Sequence, residues 1–418
     1  MNAVPFLSDE QARAIQARFG TPVFVYDQRT LEARARLVLD FPNAFGLTAR
    51  YAMKACPTGA VIRVLTAAGL HIDASSGYEA SRAIAAGVAP DRIQLTAQEL
   101  PKDLRALVTE GVRFNACSLA QIRAFGRAVP GGTLSIRVNP GLGSGHNNRT
   151  NVGGPAASFG IWHEYLPQAL ALGREHGLRI ERMHTHIGSG SDPETWKRVA
   201  LMSLDICARI PDARVLSLGG GFKVAPDEET DLQRIGAPMA DAFRAFAARH
   251  ERKLRLEVEP GTYLVANACA LVATAIDVVD TGAEGYRFIK VDAGMTEIVR
   301  PSMYGAQHPI AVVPADGESR GEADYLVVGH CCESGDVLTP APGNPEGLLP
   351  RRLPETRIGD AVVIGRAGAY CSGMSTKHYN SFPEAAEVMV AKDGSIELIR
   401  RRQPPEQVTQ NEIMPSFL

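Results

Sequence analysis

The stretch that decides the fold is residues 183–190, MHTHIGSG, where a short apolar strand pattern runs into a glycine-containing loop. The same pattern recurs at residues 215–221, VLSLGGG, and at residues 254–261, LRLEVEPG. Strand patterns of this kind alternate with amphipathic helix patterns from residue 50 to residue 259. Because parallel strands that alternate with helices close into a barrel, the sequence predicts a (β/α)8 TIM-like barrel.

The predicted elements fall into two groups along the chain. Barrel strands are predicted at residues 50–55, 71–75, 93–97, 113–116, 134–139, 182–188, 215–219 and 254–259. The helix patterns among them include residues 59–68, 77–87, 102–111 and 119–129. After about residue 265, strand patterns follow one another without helices, at residues 271–279, 288–291, 325–328, 361–364, 387–390 and 395–399. This second group predicts a mainly antiparallel β domain.

The change of pattern sets the expected domain limits. The barrel domain is predicted to span residues 28–265, and the C-terminal β domain residues 266–418. A strand within about residues 1–27 is expected to join the β domain. The segment 339–354 is rich in proline and glycine and is expected to be a surface loop.

Composition and charge narrow the classes of function. The 418 residues carry 44 Lys and Arg against 46 Asp and Glu, so no basic excess is available for nucleic acid or an anionic membrane. The longest apolar stretch, residues 263–279, is interrupted by Asn267 and Asp277 and is interpreted as a strand or core segment. Seven cysteines without a CxxC pair, and an N-terminus unlike a secretory signal, favour a cytoplasmic location.

Chemically active side chains fall at the ends of predicted barrel strands, where barrel enzymes carry their sites. Lys54 lies in the pattern YAMKA, and burial there would lower the pKa of its amine and suit it to Schiff-base chemistry. A lysine at a strand end can also simply reach solvent. His184 and His186 share a strand face, which suits a metal, a planar cofactor or a buried core pair.

Motifs later in the chain add further candidate site residues: a glycine run that could bind an anion, two carboxylates and a thiol. The run Gly219, Gly220 and Gly221 lets backbone N–H groups approach an anion, or forms a tight turn. Glu257 and Glu259 share a face at the barrel mouth, where a carboxylate needs a protonated ring nitrogen or a barrel arginine. Cys332, in the run CCESGD, suits an acid–base thiol or a buried structural cysteine.

Taken in order, these motifs resemble the fold-type III pyridoxal-phosphate decarboxylases and, among them, the diaminopimelate branch. The matching runs are YAMKA at 51–55, HTHIGSG at 184–190, GGG at 219–221, EPG at 259–261, DAGM at 292–295, RPSMY at 300–304, CESGD at 332–336 and GAY at 368–370. Residues 137–162 look like bacterial members of that branch. The resemblance implies a carboxy-lyase that uses pyridoxal 5′-phosphate to convert meso-2,6-diaminopimelate to L-lysine and CO2, the last step of lysine biosynthesis.

The resemblance also implies a role for each motif residue. Lys54 would bind the cofactor covalently, His186 would stack on its ring, and Glu259 would keep the ring nitrogen protonated. The cofactor phosphate would be held by Ser189, Gly219, Gly220, Gly221 and Tyr370. Cys332, from the partner subunit of a homodimer with shared active sites, would protonate the carbon that loses CO2. The substrate would be bound by Arg300, Tyr304, Glu333 and Tyr370, and no metal is implied.

The sequence departs from the family pattern at two places. Thr262 stands where the family has an arginine near the distal carboxylate of the substrate. Loss of one charged donor costs roughly 1.5–3 kcal/mol unless another cation replaces it. Residues 375–383, STKHYNSFP, contain one extra residue, a lysine, and lack the arginine of the family run. Arg366 and Lys377 are the candidates for supplying the missing charge.

Three other functions are weighed against these motifs. The departures keep open a paralogous decarboxylase of another amino acid or a conjugate, of the carboxynorspermidine or siderophore-precursor type, although Arg300 and Tyr304 favour a second carboxylate. A racemase of this fold would use a lysine and a tyrosine as opposed bases and would lack the CESGD thiol. A regulatory relative without cofactor would have lost Lys54 or the glycine run, and both are present.

Overall fold

The computed structural model describes residues 4–143, 153–186, 188, 192–224 and 230–418. The chain divides into two compact units. One unit is Leu31–Leu264, and the other combines Val265–Leu418 with the N-terminal chain up to Thr30. Within the described ranges, none of the helices has the length and apolar character needed to cross a membrane.

Over its described residues, the Leu31–Leu264 unit is a closed barrel of eight parallel strands. The barrel strands are Leu47–Ala52, His71–Ala74, Ile93–Leu95, Arg113–Ala116, Thr133–Asn139, Arg179–His184, Val215–Ser217 and Arg255–Val258. Pairing of Leu256 with Leu47 joins the last strand to the first. A short extra strand, Ile161–Trp162, pairs with the fifth. The predicted TIM-like barrel is confirmed.

The helices of this unit flank the barrel strands: the first helix precedes the first strand, and the others follow strands. They are Gln28–Leu39, Gly59–Ala67, Gly77–Ala85, Leu104–Glu110, Leu119–Ala128, Leu166–Glu175, Pro193–Ala208, Leu232–His250 and Thr262–Val265, with 3₁₀ turns at Met53–Ala55, Pro90–Arg92 and His163–Tyr165. Polar caps start several of them, because a side-chain oxygen satisfies an N–H group of the first turn. Ser76 accepts from the Glu79 N–H and Ser118 from the Gln121 N–H in this way.

The second unit contains a mainly antiparallel sheet. Its strands are Val23–Asp27, Cys269–Asp280, Arg287–Val291, Ile310–Val313, Glu322–Val328, Arg351–Pro354, Ala361–Ile364, Ala386–Val390 and Ile396–Arg400. Its helices are Asp9–Phe19, Arg300–Tyr304 and Glu406–Thr409, with 3₁₀ turns at Ala266–Ala268 and Tyr379–Ser381. Val23–Asp27 pairs antiparallel with the strand that begins at Cys269 and parallel with Ala386–Val390. Buried valines of these strands, including Val25, Val272 and Val388, form the core.

Two local expectations are wrong. Residues 339–354 are not simply a loop, because Pro340–Ala341 pairs with Asn344–Leu348 and Arg351–Pro354 pairs with Glu322–Val328. Arg351–Pro354 lies at the edge of the sheet, where a strand tolerates proline. Six of the barrel strands also end earlier than predicted, with the largest differences at the first, which ends at Ala52, and the sixth, which ends at His184.

Candidate active site

Lys54 lies on the 3₁₀ turn directly after the first barrel strand. Tyr51 Oη donates to Cys56 O at 2.8 Å and the Cys56 N–H donates to Met53 O at 3.1 Å, so hydrogen bonds fix this turn. The Lys54 side chain is exposed. Of the two interpretations drawn from the sequence, the lysine at a strand end that reaches solvent is correct and the buried lysine is wrong, because the strand ends two residues before Lys54. Its ammonium lies close enough to Asp73 to affect the ionisation of that carboxyl.

The turn after the last barrel strand packs against the lysine turn. The Ala52 N–H donates to Pro260 O at 3.0 Å. A Cβ on Gly261 would lie 3.3 Å from Ala52 O, so glycine allows this close approach. The strand ends that carry Lys54 and Glu259 are therefore neighbours at the C-terminal mouth of the barrel.

Glu259 is a buried, ionised carboxylate. Its Oε1 accepts from Arg182 Nη2 and from Ser217 Oγ, both at 2.7 Å, and its Oε2 lies 3.0 Å from His184 Nε2. Burial alone would raise the pKa of Glu259, but His184, Arg182 and Ser217 together hold it well below its usual value. A fixed negative charge at this depth is suited to pair with a cationic ring nitrogen.

Glu257 lies deeper and is paired with two arginines. Arg50 Nη2 donates to its Oε1 at 3.0 Å, and Arg182 Nε donates to its Oε2 at 2.6 Å. Burial opposes ionisation, yet Arg182 and Arg50 lower the pKa of Glu257 to about 2. Glu257 therefore has the barrel-arginine partner that the sequence left open. Arg182 bridges Glu257 and Glu259, so it supports both carboxylates.

His184 orients Glu259 and is a neutral imidazole. Asn115 Nδ2 donates to His184 Nδ1 at 3.0 Å, and the other ring nitrogen, Nε2, lies 3.0 Å from Glu259 Oε2. Burial lowers the pKa of His184 despite the opposing charge of Glu259. In the part of the chain that the structure describes, no three His, Cys, Asp or Glu side chains are grouped to hold a metal ion.

His186 faces the glycine run. Its ring centroid lies 6.4 Å from that of His184, and burial followed by the charge of Arg137 lowers the pKa of His186 well below its usual value. A Cβ on Gly219 would lie 2.5 Å from His186 Nδ1, and one on Gly220 would lie 2.1 Å from Glu259 O. Only glycine fits at these two positions. Ser189 lies outside the described residues.

Sequence reasoning missed Arg182, Asn115 and Asp73. Arg182 precedes His184 by two residues, so strand alternation places it on the same face, and this signal was available. Asp73 Oδ1 is buried without a hydrogen-bond partner among the described residues. Burial, followed by the charge of Glu259, raises the pKa of Asp73 to about 7. Asn115 and Asp73 are polar residues in short strand patterns, and the sequence gave no signal for them comparable to the alternation that marks Arg182.

The second unit carries the thiol in an exposed loop after the strand Glu322–Val328. Both Cys332 and Glu333 are exposed, so a buried structural cysteine is the wrong interpretation of Cys332. The Cys332 N–H donates to Asn380 Oδ1 at 2.8 Å. The neighbouring Cys331 is less exposed, and burial together with Asp336 raises the pKa of its thiol to about 12.

The same unit holds the predicted substrate-binding arginine. Arg300 and Tyr304 lie four residues apart on one short helix, so both can face one ligand. His308 Nδ1 lies 3.0 Å from Gly365 O, and burial, then Arg300 and more weakly Arg366, lower the pKa of His308 to about 4. Two arginines therefore lie near one buried neutral histidine.

The two cations proposed from the sequence differ in their surroundings. Lys377 Nζ donates to Glu384 Oε2 at 2.6 Å, so its charge is already paired. Arg366 has φ of +57°, and Tyr370, in the GAY motif, has φ of +55°. Non-glycine residues rarely adopt this left-handed backbone, which is often retained at functional sites. Arg366 therefore shares with Tyr370 a backbone conformation that is often found at functional sites.

The buried carboxyl of Glu297, also in the second unit, has a pKa that can be tested by its effect on stability. Its Oε2 accepts from the Gly294 N–H at 3.0 Å and from Thr296 Oγ1 at 2.7 Å, and burial raises its pKa to about 7. Between its ordinary value of 4.5 and 7, the folded chain holds a proton that the unfolded chain has lost. The contribution of Glu297 to the free energy of unfolding therefore falls as pH rises through that window.

We expect Glu297→Gln to become more stable than the wild type as pH rises. The amide oxygen accepts the same two hydrogen bonds and takes no charge. Between pH 5 and pH 8, the free energy of unfolding of the variant is expected to rise by about 2 kcal/mol relative to that of the wild type. Urea unfolding of the cofactor-free protein measures this difference. If the variant and the wild type differ in free energy of unfolding by the same amount at pH 5 and pH 8, Glu297 is not protonated in the way assigned here.

The barrel and its mouth define a class of protein. The mouth combines an exposed lysine, a buried ionised glutamate, and a glycine run against a neutral histidine. This combination suits a barrel enzyme that holds pyridoxal phosphate. Residues 31–266 match the family model "pyridoxal-dependent decarboxylase, pyridoxal binding domain". The chain belongs to the pyridoxal-dependent decarboxylases, which are carboxy-lyases, and its cofactor is pyridoxal phosphate.

Comparisons with individual proteins agree along nearly the whole chain. A diaminopimelate decarboxylase of Streptomyces coelicolor is 38% identical, with 98% of this chain and 93% of the relative covered. The enzyme of that name from Escherichia coli is 35% identical, over 98% of this chain and 97% of its own length. A crystal structure of a diaminopimelate decarboxylase superposes with a TM-score of 0.90 at 34% identity, covering 96% of each chain. The resemblance drawn from the motifs is confirmed.

The described residues fit this cofactor. His186 Nδ1 is a buried polar atom without a partner in the described part of the chain, and it faces the open side of Gly219. Side chains at Gly219 and Gly220 would collide with the His186 ring and with Glu259 O, so both positions need glycine, whose backbone N–H groups can approach an anion closely. The ionised Glu259 can meet a protonated pyridine nitrogen.

Proposed function

We propose that the protein removes CO2 from the D-centre of meso-2,6-diaminopimelate and releases L-lysine, as the last step of lysine biosynthesis. The observation that carries this proposal is the barrel mouth, where Lys54 follows one strand and the buried Glu259 ends its neighbour. Relatives named diaminopimelate decarboxylase, 35–38% identical over 98% of the chain, support the choice of substrate. A Helicobacter pylori diaminopimelate decarboxylase "complexed with L-lysine", TM-score 0.81, supports the product.

In the proposed reaction, the barrel domain, taken as residues 28–265, binds the cofactor. Bound pyridoxal phosphate supplies a cationic ring that accepts the electrons left when CO2 departs. Lys54 would hold the cofactor covalently and release it to the substrate amine, His186 would cover the ring, and Glu259 would keep the ring nitrogen protonated. The phosphate is held by Ser189, Gly219, Gly220, Gly221 and Tyr370.

The β domain, taken as residues 266–418, completes the site, and its Cys332 comes from the partner subunit of a cytoplasmic homodimer. Cys332 gives its proton to the carbon that lost CO2, and Glu333 contacts the far amino group. The distal carboxylate binds Arg300 and Tyr304, because a guanidinium fork and a phenol both donate to an anion. Tyr370 borders both the substrate and the phosphate. A site shared between subunits makes activity depend on dimerisation.

We expect Arg366→Gln to raise KM for meso-diaminopimelate about 10- to 100-fold with little change in kcat, because one charged donor is worth roughly 1.5–3 kcal/mol. Glutamine is as strained as arginine at this backbone position, so the change isolates the charge. Lys377→Gln is the matched control, since that lysine already pairs with Glu384. Steady-state kinetics that show the larger KM effect for Lys377→Gln would reverse the assignment.

The experiment that tests the proposed function is CO2 release by the purified, cofactor-loaded protein. The substrates are meso-diaminopimelate, L-lysine, L-ornithine, L-arginine and carboxynorspermidine, each over a range of concentrations. We expect rapid turnover of diaminopimelate alone. Turnover of another substrate with diaminopimelate inert would assign the protein to a paralogous decarboxylase.

A further inference from the structure

Residues 378–382, here called the clamp turn, have a backbone that most residues avoid. His378, Asn380 and Ser381 have φ of +64°, +49° and +62°. This left-handed region disfavours residues that carry a Cβ, asparagine less than most. Strain at three of four neighbouring positions persists where surrounding contacts fix it, and such places are often functional.

The clamp turn contacts residues 330–336, here called the thiol loop, at three points. Asn380 Oδ1 accepts the Cys332 N–H at 2.8 Å. Tyr379 Oη donates to Glu333 Oε2 at 3.4 Å. The Phe382 ring stacks on that of His330, with centroids 3.6 Å apart and planes at 5°. Three successive parts of the loop are thus held by one short turn.

The other side of the thiol loop is fixed from within by Asp336. Its Oδ2 accepts the Cys331 N–H at 3.0 Å, and its Oδ1 accepts the Met295 N–H at 2.7 Å. A Cβ on Gly329 would lie 2.1 Å from Asp336 Oδ2, which shows how closely the carboxylate packs. Cys332 is exposed beyond this support, and among the described residues its N–H has Asn380 as its partner.

We propose that Asn380 is a positioning residue, which fixes the backbone of Cys332 so that the thiol is aimed at the carbon it protonates. This inference rests on the proposed function. The Cys332 S–H bond breaks, a C–H bond forms at the carbon that lost CO2, and the thiolate left behind takes a proton from water. A thiol displaced from its line of approach slows this step without altering how substrate binds.

The test compares Asn380→Gly with Asn344→Gly. Glycine adopts a positive φ without strain, so Asn380→Gly removes the acceptor and leaves the turn relaxed. Asn344 begins a short strand of the same unit, and its exposed Oδ1 accepts the Glu346 N–H at 3.2 Å, so it is a matched control. Asn380→Asp keeps an acceptor oxygen at the same place. The readouts are amide hydrogen exchange at Cys332 in the cofactor-free protein, and kcat and KM of the loaded enzyme.

We expect Asn380→Gly to speed Cys332 amide exchange about tenfold, the effect of one lost hydrogen bond, and to lower kcat about 10- to 100-fold with KM within about twofold. We expect Asn380→Asp to keep the slow Cys332 amide exchange of the wild type. Asn344→Gly is expected to leave both the exchange rate and the kinetic constants unchanged. Unchanged exchange in Asn380→Gly, or faster exchange with unchanged kcat, overturns the proposal. The amide-exchange measurement does not require enzyme activity. A wild-type protein without decarboxylase activity would therefore refute the proposed function, while the exchange rates would still show whether Asn380 holds the Cys332 N–H.

Discussion

Lys54→Ala is expected to lower kcat/KM for CO2 release at least about 10³-fold while the protein stays folded. The proposed chemistry needs an amine that binds the cofactor covalently and then leaves it. At the barrel mouth, the charge of Lys54 acts on Asp73 and His186, and neither these two residues nor Glu259 carries an amine. The loss is therefore chemical rather than a matter of substrate affinity.

Stability is expected to survive this change. The Lys54 side chain is exposed, and its turn is held by Tyr51 Oη and by backbone hydrogen bonds that alanine leaves in place. Such a surface change alters the free energy of unfolding by no more than about 0.5 kcal/mol. Lys102→Ala, at another exposed lysine of the barrel unit, is the control for activity. A Lys54→Ala enzyme within tenfold of wild-type activity would remove Lys54 from the reaction.

Arg182→Met is expected to destabilise the cofactor-free protein by about 3–5 kcal/mol, the cost of leaving buried charges without their partner. Arg182 donates to Glu257 at 2.6 Å and to Glu259 at 2.7 Å, and both carboxylates are buried. Methionine is similar in size but leaves the two glutamates with Arg50 as the remaining guanidinium of the network. Urea unfolding measures the difference.

The control lies on the same strand. Arg179 is exposed and reaches Glu181 across 3.6 Å at the surface, so Arg179→Met is expected to change stability by at most about 1 kcal/mol. Equal effects of the two substitutions would mean that the buried network does not support the barrel mouth. Normal stability of the Arg182→Met variant would contradict the assigned charges of Glu257 and Glu259.

Periodicity predicted the barrel because its strands are short, apolar and separated by amphipathic helices. It could not predict strand ends, which depend on local turns: Tyr51 Oη bonding to Cys56 O closes the turn that exposes Lys54. The motif order predicted the family, and the comparisons confirm it. The strands of residues 339–354 escaped prediction because edge strands carry proline and weak alternation.

The buried polar network was only partly visible in the sequence. Glu257 and Glu259 stood out by alternation, and Arg182 follows the same rule on the strand that carries His184. Which carboxylate meets which arginine depends on the closing of the barrel, since Arg50 and Glu257 are 207 residues apart in the chain. The bond from Asn380 to Cys332 is likewise long-range, across 48 residues, and no local pattern indicates it.

In the proposed reaction, one carbon of diaminopimelate loses CO2 and receives a proton in its place. Reaction of meso-diaminopimelate with the loaded wild-type protein in D2O tests this step, with the product analysed by mass spectrometry and NMR. We expect one CO2 per L-lysine and a single deuterium on the ε-carbon, the former D-centre. Absence of lysine, or lysine without deuterium at that carbon, would contradict the proposed reaction.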